Sequence, residues 1–252
     1  MSATVYAIAG GKGGVGKTTV TANVGIALQQ AGYDVAAIDA DLAMTNLGEL
    51  LDVETETGIH HVLSGKTAVE DVLVEGPAGL DIVPGTGGLD EVGNADPANL
   101  REAIAPLRES HDIVLVDTGA GVSHQSLVAL GLADATVLVT TASAVAATDA
   151  GKTAAMVDRV DGTIAGVVVT RTEDDQGTGA DIATTLGVGL LAEIPAYEAL
   201  DAQEPRYSLA EDSNAATAYD RLADALSVYH ETSDSATATE QSESQETQPS
   251  GA

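Results

Sequence analysis

Val5-Tyr6-Ala7-Ile8-Ala9 runs straight into Gly10-Gly11-Lys12-Gly13-Gly14-Val15-Gly16-Lys17-Thr18-Thr19, and the reading of this stretch decides the fold. An apolar run of strand length passes into a glycine loop, then into a helical pattern from Thr18 to Ala31 that stops at Gly32. Residues Gly11 to Thr18 satisfy G-x-x-x-x-G-K-[ST]. In such a loop backbone N–H groups point inward at phosphate oxygens, because glycine has no Cβ to prevent it. The spacing predicts that Lys17 reaches the β and γ phosphates and that Thr18 ligates Mg²⁺ through its hydroxyl. The helix that starts there directs its partial positive charge at the same anion. Gly11, Gly13 and Gly16 also spell G-x-G-x-x-G, and Asp39 ends the next apolar run about where a ribose-binding acid would sit. The adjacent Lys17-Thr18 pair favours the triphosphate reading, since a dinucleotide turn has no use for a lysine and a hydroxyl at those places.

Outward from the loop, composition sets the bounds. At 252 residues the chain suits one large domain, and 44% hydrophobic residues supply its core. With six Tyr and neither Phe nor Trp, that core must be Ala, Val, Leu and Ile, which suits a parallel sheet buried on both faces. The absence of cysteine excludes disulfides, thiolate metal sites, iron–sulfur clusters and cysteine nucleophiles. A net charge of −29, from 39 acidic against 10 basic residues, opposes compaction at ordinary ionic strength. At about 1 M salt the Debye length falls to roughly 3 Å and the repulsion is screened. The composition resembles that of cytoplasmic proteins from salt-accumulating halophiles. A surface for a basic partner is the alternative, although the acids run along the whole chain. Of only four lysines, two are Lys12 and Lys17, which suggests a task for each. No run of 18 apolar residues and no basic-flanked leader is present, so a cytoplasmic protein is expected.

Apolar runs of strand length recur at Val5 to Ala9, Val35 to Ile38, Leu80 to Val83, Ile113 to Val116, Thr136 to Val139, Ile164 to Val169 and Leu190 to Ile194. Helical segments lie between them, one opening at Asp96-Pro97 and running to about Glu109. The alternation predicts an α/β fold: a doubly wound, mostly parallel sheet with helices on both faces. The last helix, about Asn214 to Tyr229, puts Ala215, Tyr219, Leu222, Ala223, Leu226 and Tyr229 on one stripe and Asp220, Arg221 and Asp224 opposite. One domain over 1–229 is therefore expected. Residues 230–252, which have no large apolar side chain, are expected to form a disordered tail. The adjacent His60 and His61 lack a ligand frame and are read as surface or packing residues.

Ligands of such sheets sit at the carboxyl ends of the strands. Asp117, ending Val114-Leu115-Val116, is placed to hold Mg²⁺ through water, and one acid of Asp39-Ala40-Asp41 is placed to orient a nucleophilic water. The loop with its additional Lys12, the Asp39-Ala40-Asp41 segment followed by Asn46-Leu47-Gly48, and Asp117-Thr118-Gly119-Ala120-Gly121 resemble the deviant Walker A ATPases of the MinD/ParA family. The nearest likeness is to the MinD-like proteins of halophilic archaea, over about residues 3–229. The resemblance implies a slow, partner-stimulated ATPase using ATP and Mg²⁺, with catalytic Lys12, Lys17 and Asp41. Lys12 would cross a homodimer interface to the partner's nucleotide. Asp39 would lie in switch I near Mg²⁺, and Asp117 with Gly121 in switch II. Nucleotide contacts are implied for Gly11, Lys12, Gly13, Gly14, Val15, Gly16, Lys17, Thr18 and Thr19, with Thr170, Arg171 and Pro195 beside the base. Thr170 stands where the family commonly has an asparagine, and Tyr197 where it often has an aspartate.

Within the family, a membrane-binding C-terminal helix would need basic and bulky apolar residues, and the tail has neither. Any membrane or polar localisation is therefore expected through a partner protein. Ten basic residues leave little for nonspecific DNA contact, so direct DNA binding is not expected. The expected role is an ATP-dependent dimeric switch that positions or regulates partner proteins in division, motility or polar assemblies. The alternatives are an ATP-dependent amidoligase or synthetase of related fold and a ParA-like partitioning ATPase.

Overall fold

All seven apolar runs lead to strands, and all but Leu80 to Val83, whose strand starts one residue later, extend slightly beyond their apolar residues. The computed structural model describes residues 2–86, 93–121, 123–172, 178–196 and 213–246. The strands are β1 (Thr4–Ala9), β2 (Val35–Ala40), β3 (Val74–Glu75), β4 (Asp81–Val83), β5 (Ile113–Thr118), β6 (Ala135–Thr141), β7 (Ile164–Thr172) and β8 (Leu190–Pro195). They form one sheet in the order β3-β4-β2-β5-β1-β6-β7-β8. Every pairing is parallel except β3 with β4. The two-residue β3 is too short to show an alternation and was not expected. The chain leaves β1 for β2 on one side, returns through β5, and adds β6 to β8 on the other. The loop after β1 therefore sits where strand order reverses, the crevice that open α/β sheets use for ligands.

Helices cover both faces. They are α1 (Lys17–Gln30), α2 (Leu47–Leu50), α3 (Ile59–Leu63), α4 (Leu100–Ser110), α5 (His124–Leu132), α6 (Ala144–Arg159), α7 (Thr178–Leu186) and α8 (Asn214–Glu246). Alternation along β1 divides the core: Tyr6 and Ile8 pack with Val24 and Leu28 of α1 and with Tyr219, Leu222 and Leu226 of α8. Val5 faces the other way, toward Leu100, Ile104 and Leu107 of α4. Ala7 and Ala9 on that same side meet Leu130 of α5 and Met156 and Val157 of α6. The strands are aliphatic and buried on both faces as expected, but the core is not purely Ala, Val, Leu and Ile, since Tyr6 of β1 and Tyr219 of α8 are also fully buried.

The start of α4 is as expected: Asp96 accepts a hydrogen bond from the Ala98 N–H, and Pro97 opens a short 3₁₀ turn leading into the helix. The stripe on α8 is buried as read, except that Tyr229 is half-buried, and Asp220, Arg221 and Asp224 are exposed. The helix end differs from expectation, because α8 runs past Tyr229 to Glu246. No Gly or Pro occurs between His230 and Glu246, so a helix already nucleated by its packed half continues. His230 itself belongs to the packed half, its Nδ1 lying 2.8 Å from Thr4 Oγ1. Residues 247–252 of the expected tail lie outside the described residues, as does Tyr197.

Candidate nucleotide site

The loop between β1 and α1 is shaped by its glycines at two kinds of position. Gly16, the residue before α1, has φ +93° and Gly14 has φ +77°, backbone conformations that side chains disfavour. Gly11 instead has no room: a Cβ there would collide with the backbone carbonyl of Asp149 on α6. Helix α6 thus backs the loop, and Thr170 braces it from β7. The Thr170 hydroxyl is in donor geometry to the Val15 carbonyl at 2.8 Å and to the Thr140 carbonyl at 3.2 Å. Thr170 is buried, its hydroxyl bonded to the loop backbone, and it also lines the cavity described below. The sequence comparison placed it beside the base without that bracing role.

The two loop lysines differ. Lys17 is only 7% exposed, at the first turn of α1. Lys12 is exposed and makes no ion pair or hydrogen bond among the described residues. Thr18 and Thr19 stand half-buried on the first turn.

Asp39 and Asp117 are each the next-to-last residue of their strands, not after them, and are register partners on adjacent parallel strands. Both are fully buried. Asp39 accepts hydrogen bonds from the backbone N–H groups of Asn46 (2.9 Å), Leu47 (3.0 Å) and Asp41 (3.3 Å). Burial still outweighs these donors and raises its pKa to about 6. Neither oxygen of Asp117 has a hydrogen-bond partner of good geometry. Burial first, then the neighbouring Asp39 charge, push its pKa up to about 7, against the opposing pull of the Thr18 hydroxyl and Lys17. Asp41 accepts from the Met44 N–H at 3.2 Å and borders Gly119, where a Cβ would come within 3.3 Å of its Oδ1. Gly121 reaches back to the loop, its N–H 3.4 Å from the Gly10 carbonyl. The structure therefore brings the glycine loop and all three aspartates to one end of the sheet.

Beside the loop opens a cavity of about 340 Å³ lined by Val15, Gly16, Thr19, Thr170, Arg171, Ile194, Pro195, Ala196, Ala215 and Tyr219. Pro195 and Arg171 are where the sequence expected base contacts. Ala215 and Tyr219 were read only as core, since nothing in their helical spacing says that α8 also walls this cavity.

The nucleotide-binding family described as CobQ/CobB/MinD/ParA matches residues 6–207. The chain belongs to that family. An uncharacterized ATP-binding protein of Methanocaldococcus jannaschii is 34% identical over 77% of this chain and 75% of its own. The flagellum site-determining protein YlxH of Helicobacter pylori is 35% identical over 57% of this chain and 50% of its own. Among solved structures, the cell division ATPase MinD of Pyrococcus furiosus superposes with TM-score 0.83 at 31% identity, covering 90% of this chain and 99% of that one. MinD of Pyrococcus horikoshii, a complex with Mg-ADP, gives TM-score 0.80 at 31% identity, covering 88% and 94%.

The cofactors of this CobQ/CobB/MinD/ParA chain are ATP and Mg²⁺, and its residues fit them. A buried carboxylate with no satisfying donor, Asp117, stands near a hydroxyl, Thr18, at the mouth of a loop where a Cβ on Gly10 or Gly11 would collide with backbone. Thr18 and Asp117, with Asp39 behind them, would hold the metal, which supplies charge neutralisation on the β and γ phosphates. Lys17, at the helix start, would meet the same charge, and the cavity beside Val15 and Pro195 would be the place for the base. No helix among the described residues is long and apolar enough to cross a membrane.

Proposed function

We propose that the protein is an ATP-driven switch that dimerises with ATP, hydrolyses it slowly, and positions or regulates partner proteins in division, motility or polar assemblies. The observation that carries the reading is the contrast between buried Lys17 and exposed, unpaired Lys12 on one loop. Among the described residues of its own protomer Lys12 has no anion to serve, so a nucleotide held by a second copy is its natural target. Inserted there, it adds charge stabilisation in the transition state and makes association depend on the triphosphate. Asp41, at the loop after β2, orients the attacking water. Met44 and Val145, 73% and 63% exposed, follow the carboxyl ends of β2 and β6 on the same end of the molecule and offer apolar contact to a second chain. Hydrolysis removes the charge that holds the pair together, which makes the reaction a timer. MinD of Aquifex aeolicus is known in complex with MinC, and FleN of Pseudomonas aeruginosa is an antiactivator, so a protein partner is the expected effector. Multimolar KCl is the working medium the acidic surface favours, and any membrane or polar enrichment runs through that partner.

Light scattering in multimolar KCl tests this reading. With Mg-ATP the wild type is expected to double its mass, with Mg-ADP it remains single, and Lys12→Ala loses the ATP-induced dimer. A mass that ignores nucleotide in every case would remove the switch and leave an ordinary nucleotide-binding domain.

A further inference from the structure

At the opposite end of the sheet, away from the nucleotide, three side chains from distant parts of the chain converge. Asp34 precedes β2, Asp81 opens β4, and His111 joins α4 to β5. One ligand atom from each lies within 4.8 Å of the other two. The His111 side chain is 4% exposed, and its Nε2 is 3.2 Å from Asp81 Oδ2. Backbone bonds hold Asp34 in place: its carbonyl accepts from the N–H groups of Asp112 (2.8 Å) and Ile113 (3.1 Å), and its own N–H is bonded to Asp112 Oδ2 at 2.9 Å.

The tautomer of His111 is the informative detail. Its Nδ1 lies 3.3 Å from the Leu107 carbonyl, a group that can only accept, and 2.9 Å from Ser110 Oγ. The single hydroxyl proton of Ser110 has its own acceptor, the Pro106 carbonyl at 3.1 Å. Nδ1 therefore carries the ring hydrogen, and in the neutral ring Nε2 presents a lone pair to a carboxylate oxygen. That face needs a positive charge between the two atoms, either a proton on Nε2, which makes the ion pair with Asp81 at 3.2 Å, or a metal ion. The charge around it points the same way, since Glu75 is the register partner of Asp81 and no lysine or arginine pairs with Asp34 or Asp81 among the described residues.

We propose that Asp34, Asp81 and His111 form a divalent-cation site separate from the nucleotide site, with Zn²⁺ the best match to one imidazole and two carboxylates. The Nδ1–H bond to backbone fixes the ring so that Nε2 ligates. Two aspartates supply oxygen ligands, and water on the open Asp34 side completes the shell. The ion ties the starts of β2 and β4 to the α4–β5 junction and offsets carboxylate repulsion in a chain of net charge −29.

The test is calorimetric titration of ZnCl₂ into the full nucleotide-free chain in KCl, with His ring resonances followed by NMR. Expected are one site of micromolar affinity, a Zn²⁺-dependent shift of the His111 ring signals, and at least about tenfold weaker binding in both Asp34→Asn and Asp81→Asn. Asp34 is exposed, so its variant keeps the fold, and circular dichroism checks the other. His111 signals that follow pH but not Zn²⁺ would identify a plain ion pair and overturn the proposal. Binding retained by both variants would place the metal adventitiously at other histidines, and so overturn it too.

Discussion

Asp134 at the amino end of the sheet and Asp117 at its carboxyl end are held in opposite ways. At the amino end, Asp134 is met by Arg108 in a forked pair at 2.7 and 3.2 Å and also accepts from the Val5 N–H at 2.7 Å. Arg108 uses its other reach on the carbonyls of Ala3 (2.9 Å) and Leu132 (3.1 Å), so the protein satisfies this charge from within. At the carboxyl end, Asp117 is more deeply buried and has no such donor, while Asp39 beside it adds like charge. A folded chain keeps such an arrangement only where something from outside completes it. The contrast separates acids that hold the fold from acids that await a ligand.

The largest effect that would break this contrast is expected from Asp117→Asn. Between about pH 4 and 7 the folded protein holds a proton on Asp117 that the unfolded chain releases, so nucleotide-free stability falls as pH rises through that window. At pH 8 the asparagine should therefore stabilise the empty protein by about 2 kcal/mol, or about 5 °C in melting temperature. The gain should vanish near pH 4, and Mg²⁺-dependent nucleotide affinity should fall at least about tenfold. Thermal melts across pH and nucleotide titrations with and without Mg²⁺ check both halves; an aspartate no less stable than asparagine at pH 8 would mean that the charge is already satisfied.

Arg108→Ala should act in the reverse sense and more weakly. Asp134 is 42% exposed in its side chain, so the pair itself is worth little. Losing the two carbonyl bonds as well should cost about 1.5 kcal/mol in denaturant unfolding, with nucleotide affinity unchanged. A change in affinity would show that the two ends are coupled. The smallest effect is expected from Thr170→Val, which removes the brace under Val15. It should cost about 1 kcal/mol of stability and weaken nucleotide binding a fewfold, and unchanged binding would separate the brace from the site.

The fold was legible because buried parallel strands are written as continuous aliphatic runs, and each of the seven led to a strand. The short β3 was not, since two residues carry no period. The loop was legible because glycine spacing and a Lys-Thr pair are local properties. By contrast, Ala215 and Tyr219 gave no sign of lining the cavity, because a helical stripe says that a face is buried but not against what. The brace that Thr170 gives the loop was not legible either, because its hydroxyl donates to a carbonyl 155 residues away in sequence.

The sequence by itself determined the sheet, the glycine loop and the acids at strand ends, because periodicity, glycine and residue type act over a few neighbours. Only the tertiary structure decided which acids are left unsatisfied, that Lys12 is exposed while Lys17 is buried, and that Asp34, Asp81 and His111 meet. Burial and convergence depend on strand order and register, and those emerge only when residues far apart in the chain are packed side by side.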